Sequence, residues 1–220
     1  MRTIVLATQK GGSGKSTLTI GLAVAAIECG HRVAIIDTDW QGTASHWGRR
    51  RTLREPRVER VSNATDIERT LLLLERSGFA LVVVDTPATH NDLTVGAIRA
   101  ADLCLIPTRP SPADIEAAVP TLRTVYKLGK PFAFVLNQSQ PRGYRIGEAA
   151  EALNASGRLA LPYIVLRNDH QDALGAGFAV TEFAPDGQAA HEIRSLWQWI
   201  WHQLTIESSE HENPPKRAAG

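Results

Sequence analysis

At 220 residues and 43% apolar content, the chain can form one large α/β domain or two small ones with an ordinary core. A formal net charge of +1 excludes a gross nucleic-acid or membrane-surface signal, so binding to either needs a local patch. No apolar stretch reaches the roughly 18 residues of a membrane span. The two cysteines, Cys29 and Cys104, sit far apart in apolar runs and read as buried free thiols, suited to a reducing cytoplasm. The first residues already read as a strand, so no signal peptide is expected ahead of them and the expected compartment is the cytoplasm.

In chain order, residues 2–8 predict a first strand, and residues 9–17, Gln-Lys-Gly-Gly-Ser-Gly-Lys-Ser-Thr, a glycine-rich turn. Residues 15–28 predict a helix with Leu18, Leu22, Ala25 and Ala26 near one face, ended by Gly30. Residues 32–37 are a second apolar strand with an acidic end. Residues 49–60 are arginine-dense, with room for a short edge strand. A helix over 65–76 carries Ile67, Leu71 and Leu74 at helical spacing. Residues 79–85 form a continuous β-branched run ending in Asp85, the pattern of a central parallel strand buried on both faces.

A helix over 92–101 and a strand over 103–106, stopped by Pro107, come next. The following helix opens at Pro110-Ser111-Pro112 and runs to about residue 128, with a kink or break expected at Pro120. A strand over 132–137, a helix over 146–155, a weaker strand over 158–164, a short helix over 171–175 and a last helix over 188–204 complete the domain. Residues 205–220 are polar, with Pro214 and Pro215, and are expected to be a disordered tail. Strands alternate with helices and no linker interrupts residues 1–204, which predicts a single doubly wound, mostly parallel sheet.

Strand, glycine turn and helix in that order form a phosphate-binding loop. Glycines let backbone N–H groups close on phosphate oxygens, and the helix N-terminus adds a positive dipole end. Lys15 reaches the β/γ-phosphates and the Ser16 hydroxyl suits Mg²⁺. In open α/β sheets ligands sit outside the carboxyl ends of the strands, which brings Asp37, Asp39, Asp85 and Asn137 toward this loop.

The loop departs from a standard Walker A motif: Gln9 stands where the first glycine belongs, and a second lysine, Lys10, opens the glycine run. Lys10-Gly11-Gly12-Ser13-Gly14-Lys15-Ser16-Thr17 resembles the deviant Walker A of the ParA/MinD superfamily of P-loop ATPases. Asp37-Thr38-Asp39-Trp40-Gln41-Gly42 resembles the second motif of that family with Trp40 in place of its proline, and Asp85-Thr86-Pro87 its Walker B strand end. The resemblance covers about residues 1–204, and the short length with Pro110-Ser111-Pro112-Ala113-Asp114 is most similar to the small ParF-type partition ATPases.

The resemblance implies several roles. Lys10 crosses into a dimer partner's site. Residues Gly11 to Thr17 cradle the nucleotide. Asp39 orients the attacking water, and Ser16, Asp37 and Asp85 serve Mg²⁺. Asn137 reads the adenine edge, while Thr86 and Pro87 form either a γ-phosphate switch or a rigid turn. The segment 167–183 closes over the base.

The implied function is an ATPase for DNA segregation with ATP and Mg²⁺ as cofactors. It forms an ATP-bridged homodimer, with higher assemblies on DNA, and associates with the nucleoid through non-specific DNA. A centromere-binding partner stimulates a slow basal hydrolysis. Arg167 and Arg194 are the candidate DNA contacts, with Arg145 and Arg158 weaker ones. The arginine run 49–60 reads as a solvated face or as a phosphate-tracking patch.

The alternative implied function is an adaptor ATPase that positions a non-DNA cargo or a DNA-transfer apparatus. A small-molecule phosphotransferase of the same fold is disfavoured by Lys10. Cluster-ligating cysteines near the loop are lacking, which excludes an iron-protein role. The stripe Ile193, Leu196, Trp197, Ile200, Trp201 and Leu204 reads as core packing rather than a membrane-surface helix.

Overall fold

The computed structural model describes residues 1–140 and 144–212, and within them the β-branched runs pair as one six-stranded, wholly parallel sheet of order β3-β2-β4-β1-β5-β6. The elements are β1 (Arg2–Leu6), α1 (Lys15–Glu28), β2 (Val33–Asp37), α2 (Thr43–Arg50), β3 (Arg57–Arg60), α3 (Ala64–Arg76), β4 (Leu81–Asp85) and α4 (Asp92–Ala100). They continue with β5 (Leu103–Thr108), α5 (Pro112–Lys127), β6 (Phe132–Leu136), α6 (Tyr144–Ser156), α7 (Asn168–Gly175), α8 (Val180–Phe183) and α9 (Gln188–Glu212).

Side-chain alternation splits the core in two. Ile4, Leu6, Ile35, Val83, Leu105 and Val135 face α1, α2 and α9. Val5, Ala34, Ile36, Val82, Val84 and Ile106 face α3 to α6. Both faces are covered, which is why β2, β4 and β5 are buried at every position. α1 lies between the sheet and α9, so nearly all of it is buried, and Gly21 meets Ile193 closely enough that an added Cβ would sit 3.3 Å from it. The Ile193–Leu204 stripe is core, with Ile193, Leu196, Trp197, Ile200 and Leu204 buried and Trp201 partly so. Among the described residues no helix is long and apolar enough to cross a membrane.

Several elements differ from expectation. Pro107 does not stop β5, which continues to Thr108. The Leu105 carbonyl accepts from Ala7 on the β1 side, so by alternation the missing N–H of Pro107 also faces that side. The last β1–β5 pair is Leu6–Leu105, so Pro107 lies beyond the ladder and no bond is lost. α5 runs unbroken through Pro120. Residues 158–164 are not a strand. They meet β6 through one isolated bridge, Phe134–Leu159, and the backbone bonds skip from Ala160 to Ile164 because Pro162 has no N–H to donate. α9 continues past Leu204 to Glu212, so the tail expected from 205 starts as helix; its residues 213–220 lie outside the described residues. Cys29 is exposed at the end of α1 rather than buried, whereas Cys104 is buried as expected. α2 and α8 were not foreseen.

Candidate functional site

The carboxyl ends of β1, β2 and β4 converge on the glycine loop. Gly14 caps α1 at φ 89°, a conformation that favours glycine, and an added Cβ would lie 2.3 Å from Asn137 Nδ2. No side chain caps α1, and its first turn holds no acid, so its free N–H groups are available to an anion. The loop is braced from behind. Asn137 Nδ2 donates to the Ser13 carbonyl at 2.7 Å, and Gln138 Nε2 donates to the Gly12 carbonyl at 2.9 Å. Lys15 Nζ donates to the Thr8 and Lys10 carbonyls at 3.2 and 3.4 Å. Burial pulls the Lys15 ammonium below its ordinary pKa, and the charges of Asp85 and Asp39 oppose that.

Three carboxylates divide the acidic side. Asp85 is fully buried, and apart from the adjacent Ser16 hydroxyl neither carboxylate oxygen has a hydrogen-bond partner among the described residues. Burial pushes its pKa up to about 7, with the nearby Ser16 hydroxyl and Lys15 acting against the rise and Asp37 and Asp39 adding to it. A buried, unpartnered carboxylate beside a hydroxyl suits a cation bound between Asp85 and Ser16. Mg²⁺ fits, because it takes one or two protein oxygens and completes its shell with water and phosphate.

Asp37 is held by protein donors. Its Oδ2 accepts from Ser45 N and Ser45 Oγ, both at 2.7 Å, and its Oδ1 from Asp39 N at 3.1 Å. It therefore fastens the first turn of α2 to the sheet. Asp39 is half-buried, accepts from Gln41 N at 3.0 Å and lines the cavity at the glycine loop. That cavity has a volume of about 450 Å³, within the range of ligand sites. Gly11 to Thr17 line one wall; Asp39, Trp40, Pro87 and Gln138 belong to the others. A second opening, between Asn137, Gln138, Arg167, His170 and Gln171, has only about 60 Å³, room for a few waters and not for a base.

A model of the CobQ/CobB/MinD/ParA nucleotide-binding domain matches residues 4–178. The chain belongs to this family. It is 31% identical to the maintenance of carboxysome distribution protein A of Gloeobacter kilaueensis, over 92% of this chain and 94% of that one. It is 27% identical to Protein IncC of Escherichia coli, over 94% of this chain and 71% of that one. Among solved structures, MinD of Pyrococcus horikoshii complexed with Mg-ADP superposes with a TM-score of 0.75 at 17% identity, covering 94% of this chain and 98% of that one. Apo McdA of Cyanothece superposes with a TM-score of 0.77 at 17% identity, covering 93% and 99%. ParA/MinD-type proteins are ATPases, and these likenesses establish the doubly wound P-loop fold.

Within this ParA/MinD-type site, Gly11, Gly12, Ser13, Gly14, Lys15, Ser16, Thr17 and Asp39 come together in one cavity as the sequence predicts, with Asp85 buried beside them. Lys10 does not line it, and its charge adds weakly to the pull of Arg109 and Ser111 that holds the Asp114 carboxyl on α5 below its ordinary pKa. Asn137 reaches the loop, but as a brace on Ser13. Thr86 is buried and donates to the Leu6 carbonyl at 2.7 Å, across the sheet. The two arginines expected to touch DNA are occupied: Arg167 pairs with Glu192 at 2.7 Å, and Arg194 with Glu28 at 2.7 Å. Arg158 bonds to Gln203.

Sequence reasoning missed Gln138, at φ 54°, and the node on Arg51. Arg51 stacks 4.5 Å from the Trp47 ring centroid and makes a two-pronged bond to Glu182, at 2.8 Å on each arm. Trp47 Nε1 donates to the Phe178 carbonyl at 3.1 Å. This node ties α2 to the 176–183 segment.

Proposed function

We propose that this chain is an ATP-driven positioning ATPase that works as a switchable dimer. The observation that carries the reading is the placement of Lys10: seven consecutive residues after it line the cavity and it does not, and its ammonium has no hydrogen bond or ion pair among the described residues, which suits it to serve a second copy's nucleotide. Gly11 to Thr17 hold the phosphates through backbone N–H groups, Lys15 supplies charge, and Asp39 orients the attacking water. Ser16 and Asp85 hold Mg²⁺, which would neutralise charge developing on the phosphates. Among the described residues Asp39 is the one carboxylate lining the cavity, which favours a slow basal turnover. ATP brings two copies face to face, the dimer engages non-specific DNA, and a partner protein stimulates hydrolysis and release.

For the cargo, a relative that matches almost end to end on both chains is named for carboxysome distribution, which supports a protein assembly as the thing positioned. A second reading, DNA segregation with a centromere-binding partner, is favoured by the likeness to the chromosome partitioning protein ParA of Caulobacter vibrioides, 26% identical over 58% of this chain and 63% of that one. The test is duplex DNA binding with Mg-ATP, Mg-ADP and no nucleotide over a salt series, together with sizing and hydrolysis of Lys10→Ala. The proposal expects DNA binding in Mg-ATP alone, and loss of the ATP-dependent dimer in the variant. DNA binding indifferent to nucleotide, or a Lys10→Ala protein that still dimerises on ATP, refutes it. Pull-down of a neighbouring small basic DNA-binding protein with its DNA site would select segregation over a protein cargo.

A further inference from the structure

The region between α2 and β3 contains a groove that the nucleotide site does not use. Its volume is about 480 Å³, and five arginines line it: Arg49, Arg51, Arg54, Arg57 and Arg60. Their states differ. The Arg51 side chain is 3% exposed and committed to Glu182. Arg57 pairs with Glu59 at 2.5 Å. Arg60 is exposed and bonds only a neutral group, the Trp40 carbonyl, at 2.8 Å. Arg49 and Arg54 are exposed and have no hydrogen bond or ion pair among the described residues. No carboxylate lines the groove, although Glu55 and Glu59 flank it. In a chain of net charge +1 this is a local concentration of unpaired guanidinium groups. The C-terminal arginines singled out from sequence are, by contrast, neutralised by Glu192 and Glu28.

We propose that this groove is the DNA-binding surface, taking the phosphate backbone of a duplex through Arg49, Arg54 and Arg60. The assignment rests on the positioning reading above and supplies the location of its DNA contact. Guanidinium groups bind phosphate oxygens in a two-pronged fashion, and clustered ones suffice for sequence-independent affinity.

The groove is also wired to the nucleotide. Ser45 lines it and holds Asp37, which in turn accepts from Asp39 N. Arg60 grips the Trp40 carbonyl, and Trp40 lines the nucleotide cavity. A change in residues 39–41 on nucleotide binding therefore reorients Arg60 toward or away from DNA, which links affinity for DNA to the state of the site.

The experiment compares wild type, the Arg49→Gln/Arg54→Gln double variant and Arg194→Gln. Each binds a labelled duplex of arbitrary sequence in Mg-ATP, from about 50 to 300 mM salt. Each lost phosphate contact should make the log–log salt slope shallower by about 0.9 and weaken binding about 8-fold near 0.1 M salt. The double variant should thus lose about 60-fold, with basal ATP hydrolysis and melting temperature unchanged. Arg194→Gln should keep the wild-type slope.

A double variant that binds DNA with wild-type affinity and slope, while wild type still requires ATP, overturns the groove and leaves the positioning reading standing. Absence of DNA binding by wild type in every nucleotide state overturns both. Polyglutamate binding that the double variant loses, with DNA binding intact, overturns it in favour of an acidic protein segment.

Discussion

The three glycines of the phosphate loop are there for different physical reasons, and alanine substitution in the nucleotide-free protein separates them. Gly11 has ordinary backbone angles, and nothing lies within 4 Å of an added Cβ. Gly11→Ala should be neutral or stabilising by up to about 1 kcal/mol, through the unfolded chain alone. Gly12 is at φ 71° with open space around it, so Gly12→Ala carries only left-handed strain, about 1–2 kcal/mol. Gly14 is at φ 89° and faces Asn137 Nδ2 at 2.3 Å from the added Cβ. Gly14→Ala carries the same strain and also displaces the amide that satisfies the Ser13 carbonyl. Losing that buried bond adds about 1–3 kcal/mol.

The expected order of stability is Gly11→Ala, Gly12→Ala, Gly14→Ala, with the last about 2–5 kcal/mol below wild type. Urea unfolding at constant m-value measures this directly, and thermal melting should show a fall of about 5–15 °C for Gly14→Ala. Because the clash is with Asn137, adding Gly14→Ala to an Asn137→Ala background should cost only the strain. If Gly14→Ala melts within about 2 °C of Gly11→Ala, or if the Asn137→Ala background gives no relief, the brace is wrong.

Arg51→Met should destabilise by about 2–4 kcal/mol, because it leaves Glu182 without its cation and Trp47 without its covering guanidinium. The loss should be far less than additive with Glu182→Gln in a denaturation cycle. Trp40 is 78% exposed on the cavity rim, whereas Trp47 and Trp197 are buried, so Mg-ATP should change the intrinsic emission and Trp40→Phe should remove that change. The two thiols should separate kinetically with a disulfide-exchange reagent at pH 8. Exposed Cys29 reacts within the mixing time. Cys104, whose pKa burial pushes up to about 12, stays a thiol at every pH below that and reacts only at the rate of unfolding. A single fast phase for both would contradict the buried β5.

The central strands were legible because both faces of the sheet are covered, and continuous apolar runs such as Val82-Val83-Val84 then have no other reading. The loop was legible because glycine and lysine at fixed offsets leave few chemical alternatives. α2 was not, since only Ala44, Ser45 and Trp47 of its residues are buried and no apolar periodicity develops. Its start depends on Asp37 reaching eight positions ahead to Ser45, a tertiary fact.

The arginine run shows the same limit. Six arginines look alike in sequence, yet Arg51 is fixed by a carboxylate 131 positions away and Arg49 is free. Asn137 and Gln138 are likewise loop residues until the fold sets them 124 and 126 positions back, against Ser13 and Gly12.

Those two amides explain why the loop can be ready before its ligand arrives. Ordering a residue's backbone costs about 1–2 kcal/mol, and a floppy glycine loop would draw that from phosphate binding. Here the carbonyls of Thr8, Lys10, Gly12 and Ser13 are already held by side chains, at about 0.5–1.5 kcal/mol apiece. Pinning the carbonyls also constrains the intervening N–H groups that line the cavity. Two of the four bonds come from Lys15, the residue that must turn toward phosphate. If Lys15 turns to phosphate as proposed, nucleotide binding would release the Thr8 and Lys10 carbonyls while leaving Gly12 and Ser13 braced. The phosphate-facing end of the loop stays rigid, and the freedom gained falls at its start. That is where Lys10 sits, so the residue proposed to reach a second copy is the one the ligand sets loose.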